Sequence, residues 1–204
     1  MKAAVTTVEE DLARNGEKLL SKCVTLLSRN YAPWIEDSPD LMADGVQEYQ
    51  ELVFQIRWSV EIGCLDILLE TSLLSSYLVM PLVGHLEQAF HIFGYFKAHP
   101  KRKLVFDPAH PSINKNRFHQ CNWMDFYRDD KKEIPGNIPV ARGILMSMHC
   151  FADANHVGDT CTRQSHTGML FFCNSALIIW FSKRHNSVEA STFGSEFTVM
   201  NNAV

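Results

Sequence analysis

What this chain of 204 residues lacks narrows its reading before any motif does. Its six cysteines, Cys23, Cys64, Cys121, Cys150, Cys161 and Cys173, include no C-x-x-C pair, so neither zinc-ligand nor dithiol spacing occurs. Dispersed cysteines read as reduced, buried thiols, which predicts an intracellular protein. The N-terminal stretch MKAAVTTVEEDLARNG has no apolar signal-peptide core, so nothing points to secretion. Nor is any apolar run clean enough for a membrane span: the richest, Cys64 to Val83, carries Asp66, Glu70 and a turn-forming Pro81. No Gly-rich phosphate loop and no Ser-His-Asp order stands out. The nine histidines show no H-x-x-x-H on a helix. His85 and His91 read as helix-surface or capping residues, and His110 as a turn residue.

What is present is globular in composition, 46% hydrophobic and 21% charged. That length suits one large domain or two small ones. The net charge of −4 conceals an asymmetry: residues 1–100 hold 7 Lys/Arg against 14 Asp/Glu, whereas residues 101–204 hold 12 against 9. The change of sign suggests two units, with the basic one better placed to meet phosphates. The run Lys101 to Lys103 follows a helix C-terminus, where cations complement the helix dipole.

The first hundred residues read as helical. Val5, Val8 and Leu12 make an apolar stripe, and Gly16 falls where a C-cap would end the helix. Residues 21–45 read as loop, with Pro33, Pro39 and Gly45. Tyr49, Leu52, Val53, Ile56 and Val60 then recur at helical spacing, closed by Gly63. Asp66 is placed to cap a second helix through Leu78, stopped by Pro81. A third helix is predicted from His85 to about Ala98, and the three should pack as a small bundle. KRKLVFD could form a short strand. Residues 106–146 read as an extended linker, with Trp123, Phe126 and Tyr127 as candidate anchors. From Ser147 the period changes to strands: MHCFADA, TGMLFFCN and ALIIWFSK predict an antiparallel meander. Trp180 alternates with Ile178 and reads as core. Ser191 or Thr192 should cap a final helix. The fold class is therefore α+β, with a helical unit over 21–105 and a second unit over 147–204.

Chemistry is best sought at Asp153, near the end of the first predicted strand, and Glu196, in the opening turns of the last helix. Hard divalent cations need carboxylate oxygens converging from separate elements. The bland alternative is a turn aspartate and a solvated helix glutamate.

The motifs FADANHVGD, TRQSHTGMLFF and ALIIWFSKRHNSVEASTFGSEF, in this order, closely resemble the ribonuclease H segment of copia-type retrotransposon Pol polyproteins. That family's pattern runs Y-x-D-A-D-W-A-G-D, T-R-R-S-T-S-G, W-x-S-K-K-Q and E-A-E-Y. Upstream, the stretch from Tyr49 to Pro111 resembles the helical thumb-and-connection region of the reverse transcriptase, with residues 1–20 as the palm's end. The resemblance implies a truncated ribonuclease H-like domain over 147–204. It implies Asp153 and Glu196 as catalytic residues binding Mg2+, an RNA–DNA hybrid as partner, and Arg163, Lys183 and Arg184 (and His185) near its phosphates. Departures matter. Asn155 stands where many members have aspartate, and His156 where tryptophan is common. Neither the later catalytic aspartates nor the polymerase Tyr-x-Asp-Asp has a counterpart, the pair Asp129-Asp130 reading as linker charge. With the carboxylate set incomplete, the chain itself is expected to lack appreciable nuclease activity. It is also expected to expose aromatic side chains such as Phe171, Phe172 or Trp180.

Overall fold

The computed structural model describes residues 2–101, 104–112, 122, 124–128, 135–140 and 142–203. Helix α1 (Lys2–Arg14) buries Val5, Val8 and Leu12, the predicted stripe. Gly16 takes φ 77°, and the amides of Gly16 and Glu17 donate back to Ala13 and Leu12. This is the pair of bonds that closes a helix through a left-handed residue. Helix α2 (Ala43–Glu61) ends the same way. Gly63 adopts φ 109°, and Cys64 N–H reaches Ser59 O at 3.0 Å. A side chain would be strained at either glycine.

After α2 the chain departs from expectation. Asp66 is not the N-cap of α3: it lies inside a 3-10 turn, Leu65–Ile67, and helix α3 (Leu68–Ser75) starts behind it with Ile67 at its N-cap. The apolar run around Asp66 leaves it on the exposed side while Ile67 is fully buried. Helix α4 (Val83–Ala98) follows Pro81. His85 performs the capping role but is buried rather than at the surface, 1% exposed. Its Nδ1 accepts from Leu82 N–H at 2.9 Å, so Nε2 carries the proton toward Pro33 O at 3.1 Å. The loop ahead of α2 is held on the same helix start, Val83 N–H donating to Pro39 O.

One core joins α1 to α4. Val8, Tyr49, Ile56, Ile67, Leu74 and Phe93 are all within it, and the buried Tyr49 hydroxyl donates to Leu74 O at 2.7 Å. Residues 1–20 thus share their interior with the helices that follow.

No strand forms at 104–107, and Arg102 and Lys103 lie outside the described residues. Helix α5 (Met124–Tyr127) is a single turn, and the anchoring proposed for Trp123, Phe126 and Tyr127 falls outside what is described.

The second unit is a meander: β1 (Met148–Asn155), β2 (His166–Cys173) and β3 (Ala176–Arg184), antiparallel in that order. Asn174, at φ 54°, turns β2 into β3, and its side chain accepts from Ser147 N–H at 2.9 Å. Helix α6 (Thr192–Asn202) begins where the Ser191 hydroxyl accepts from Gly194 N–H. Val199 of α6 packs on Ala154 and Met169. Successive strand residues point to opposite faces, so the other face meets α3, and Trp180 packs against the helical core. Trp180 is half-buried against that core, and Phe171 and Phe172 are likewise half-covered. Within this second unit the described aromatics most open to solvent are instead Phe193 (79%) and Phe197 (61%) on α6.

Candidate functional site

Asp153 and Glu196 occupy the predicted elements but are not joined by any hydrogen bond or shared cavity among the described residues. The reason is strand parity. Ala154 faces α6; Asp153, one residue back, turns to the opposite face. There it lines a cavity of about 680 Å³ with Asp66 and Glu70 from the α3 side. Burial pushes the Glu70 carboxyl above the usual range, a setting that favours its neutral form. Among the described residues, no group of three or more His, Cys, Asp or Glu side chains could hold a metal ion. Asp153 and Glu196 are only two carboxylates, and the sheet turns Asp153 away from the helix that carries Glu196.

The structure builds a second cluster at the end of the sheet that carries Asn155, His166 and Arg184. Asp159, 7% exposed, accepts from the amides of Cys161 and Thr162, each at 3.0 Å, and pairs with Arg184 at 3.4 Å. Burial raises its carboxyl, but the Thr162 and Cys161 bonds and the Arg184 charge outweigh it and hold the group below the ordinary aspartate range. His166 Nε2 lies 2.9 Å from Ser182 Oγ. Burial, with the charges of His185 and Arg184 beside it, pushes its pKa down to about 4, so it is neutral near pH 7. His185 Nε2 sits 2.6 Å from Thr167 Oγ1.

The predicted basic trio divides. Lys183 and Arg184 line a groove of about 550 Å³ between α2–α3 and β3, which Arg57 of α2 also enters. Arg163 stands apart in the β1–β2 loop at φ 62°, exposed, its amide donating to Asp159 O. Arg57 was not foreseen, because helical periodicity identifies an outward position without saying what it faces. Asp159 did leave a signal, as the Gly158-Asp159 pair ends a motif that carries the family resemblance.

No protein-family model, curated protein or solved structure matches this chain. No described helix is long and apolar enough to cross a membrane.

Proposed function

We propose that the chain derives from a copia-type retrotransposon Pol polyprotein, carrying the end of the reverse transcriptase and the first part of its ribonuclease H domain. On this reading it contacts RNA–DNA hybrid without cutting it. One observation carries the reading. The motifs fall in order on a single meander and its covering helix: FADAN in β1, HTGMLFF in β2, WFSKR in β3 and STFGSEF at the capped start of α6.

Two arguments favour contact without cleavage. Two-metal phosphoryl transfer needs carboxylates that converge on both ions. Asp153, on β1, turns to the face of the sheet opposite α6, which carries Glu196, and lines a cavity on the α3 side. Positive residues, by contrast, are grouped: Arg57 and Lys183 line one groove together with Arg184, which is paired with Asp159, and clustered cations favour phosphate contact.

The test is a labelled RNA–DNA hybrid incubated with the protein and Mg2+. Cleavage should not exceed that of an Asp153→Asn variant, while binding should weaken steeply with added salt. Magnesium-dependent hydrolysis that disappears in Asp153→Asn would overturn the non-cleaving reading. Hybrid affinity that is absent or insensitive to salt would overturn the nucleic-acid reading.

A further inference from the structure

Sulfur gathers at one end of the meander, where β1 begins and β2 turns into β3. Met148 of β1 and Cys173 of β2 are partners across the ladder. Directly opposite residues of an antiparallel pair share a face, with Cβ atoms about 4.5–5.5 Å apart. Met146, just ahead of β1, brings a third sulfur: the Cys173 thiol donates to Met146 Sδ at 3.4 Å.

Hydrogen bonds clamp the backbone beneath these side chains. Ser147, between the two methionines, donates its N–H to Asn174 Oδ1 at 2.9 Å. Asn174, next to Cys173, returns its own N–H to Ser147 O at 2.7 Å, and its Nδ2 donates to Pro108 O at 3.0 Å. Donors carried on a fixed backbone have less freedom to lose when they meet a ligand. They are also open to one: Met146 is 65% exposed and Met148 61%, while Cys173 is a half-buried free thiol.

The donor set decides the ligand. Hard cations such as Mg2+ and Ca2+ take oxygen, and zinc takes thiolate, imidazole and carboxylate. A thiolate with thioethers suits a soft ion, and among the biological metals these donors select copper(I). The spacing agrees. Metal–sulfur bonds of about 2.3 Å put two sulfurs of one tetrahedral site roughly 3.8 Å apart, which a small rotation of the flexible Met146 side chain supplies.

We propose that Cys173, Met146 and Met148 bind a copper(I) ion. The Cys173 S–H bond breaks, its proton passes to solvent, and the sulfur electron pair forms the bond to copper. Each thioether adds a lone pair, and nothing is oxidised or reduced. The thiolate charge balances that of the ion. Cys150, further along the same face of β1, stands opposite Phe171 and is not needed. The inference is independent of the nucleic-acid reading.

Anaerobic titration of the reduced full chain with copper(I), against the chromophoric chelator bathocuproine disulfonate, tests this. Wild-type protein should withdraw copper(I) from the chelator. Losing a group that merely orients a metal ligand costs about 10–100-fold in affinity; Cys173→Ser, which removes a ligand, should lose at least the upper figure. Met146→Leu and Met148→Leu should each lose about tenfold, the lower figure, with thermal midpoints nearly unchanged because both side chains are exposed. Cys161→Ser, at an exposed thiol in the β1–β2 loop, should bind as wild type does. Silver(I) should displace copper(I), and Zn2+ should not. In wild-type protein, of the eight methionine methyl resonances those of Met146 and Met148 should move on copper(I) addition. Unchanged affinity in Cys173→Ser, or in both leucine variants, would overturn the site. So would still methyl resonances at Met146 and Met148, or a loss on Cys161→Ser equal to that on Cys173→Ser. Displacement by Zn2+ as ready as by silver(I) would overturn the choice of ion.

Discussion

The guanidinium of Arg184 stands 3.4 Å from the buried carboxylate of Asp159, so the last residue of β3 anchors the loop between β1 and β2. The same carboxylate gathers the Cys161 and Thr162 amides. A loop of ten residues, 156–165, is thereby tied at its middle.

Replacing Asp159 should cost more than its place in a loop suggests. Asp159→Ala strands two amides and a partly buried guanidinium, a loss of about 2–4 kcal/mol by the usual cost of unpaired buried groups. Asp159→Asn keeps an acceptor oxygen and should lose less. Urea unfolding midpoints of the two variants check this, and equal stabilities would sink the claim that the charge matters.

Acid should weaken the fold through His166. In the unfolded chain its imidazole protonates below its ordinary pKa of 6.5, but in the fold only below about 4. Between those values the unfolded state binds more protons, so stability is full above pH 6.5 and falls as pH drops toward 4. The whole effect is about 3 kcal/mol. His166→Gln should flatten that part of the stability–pH curve; an unchanged slope would show that other groups carry it.

Gly94 on α4 is a close approach. A Cβ there would stand 2.7 Å from Cys23 Sγ and 2.9 Å from the backbone oxygen of Leu20. Helix propensity alone favours alanine over glycine by about 1 kcal/mol, yet Gly94→Ala should destabilise, by roughly 1–3 kcal/mol of overpacking. A rise in the thermal midpoint would refute the contact.

Phe193 and Phe197 stack on the outside of α6 with ring centroids 6.3 Å apart. Such exposed aromatic surface should bind an apolar dye and promote association. The double variant Phe193→Lys/Phe197→Lys should lower dye fluorescence and sedimentation-detected association, with stability changed by no more than about 0.5 kcal/mol. Unaltered dye binding would move the sticky surface elsewhere.

Much of this fold can be read from local pattern, and the exceptions have a common cause. The α1 stripe and both left-handed glycine stops are written in neighbouring residues, as are the Ser191 cap and the three strands. Asp66 misled because a good capping residue was assumed to act on the nearest helix, whereas packing of Ile67 set where α3 begins. The candidate site was less legible. Asp153 and Glu196 were found by motif, but strand parity and α6 placement decide which way each faces. His166, His185 and Arg57 take their environments from residues distant in sequence, which no local period encodes. Arg184 was read as a phosphate contact, and its link to Asp159 shows a cation already occupied by structure.

The indole of Trp180 and the bond from Ser72 to Ser182 bind the sheet to the helical core, and that bond spans 110 residues of chain. Contacts so remote in sequence require a long loop to close before they contribute anything, and proteins dominated by them fold slowly. Helices α2 and α3, which pack on each other as neighbours along the chain, can form early. The meander then docks late onto a surface already made, and Trp180 fluorescence would time its arrival.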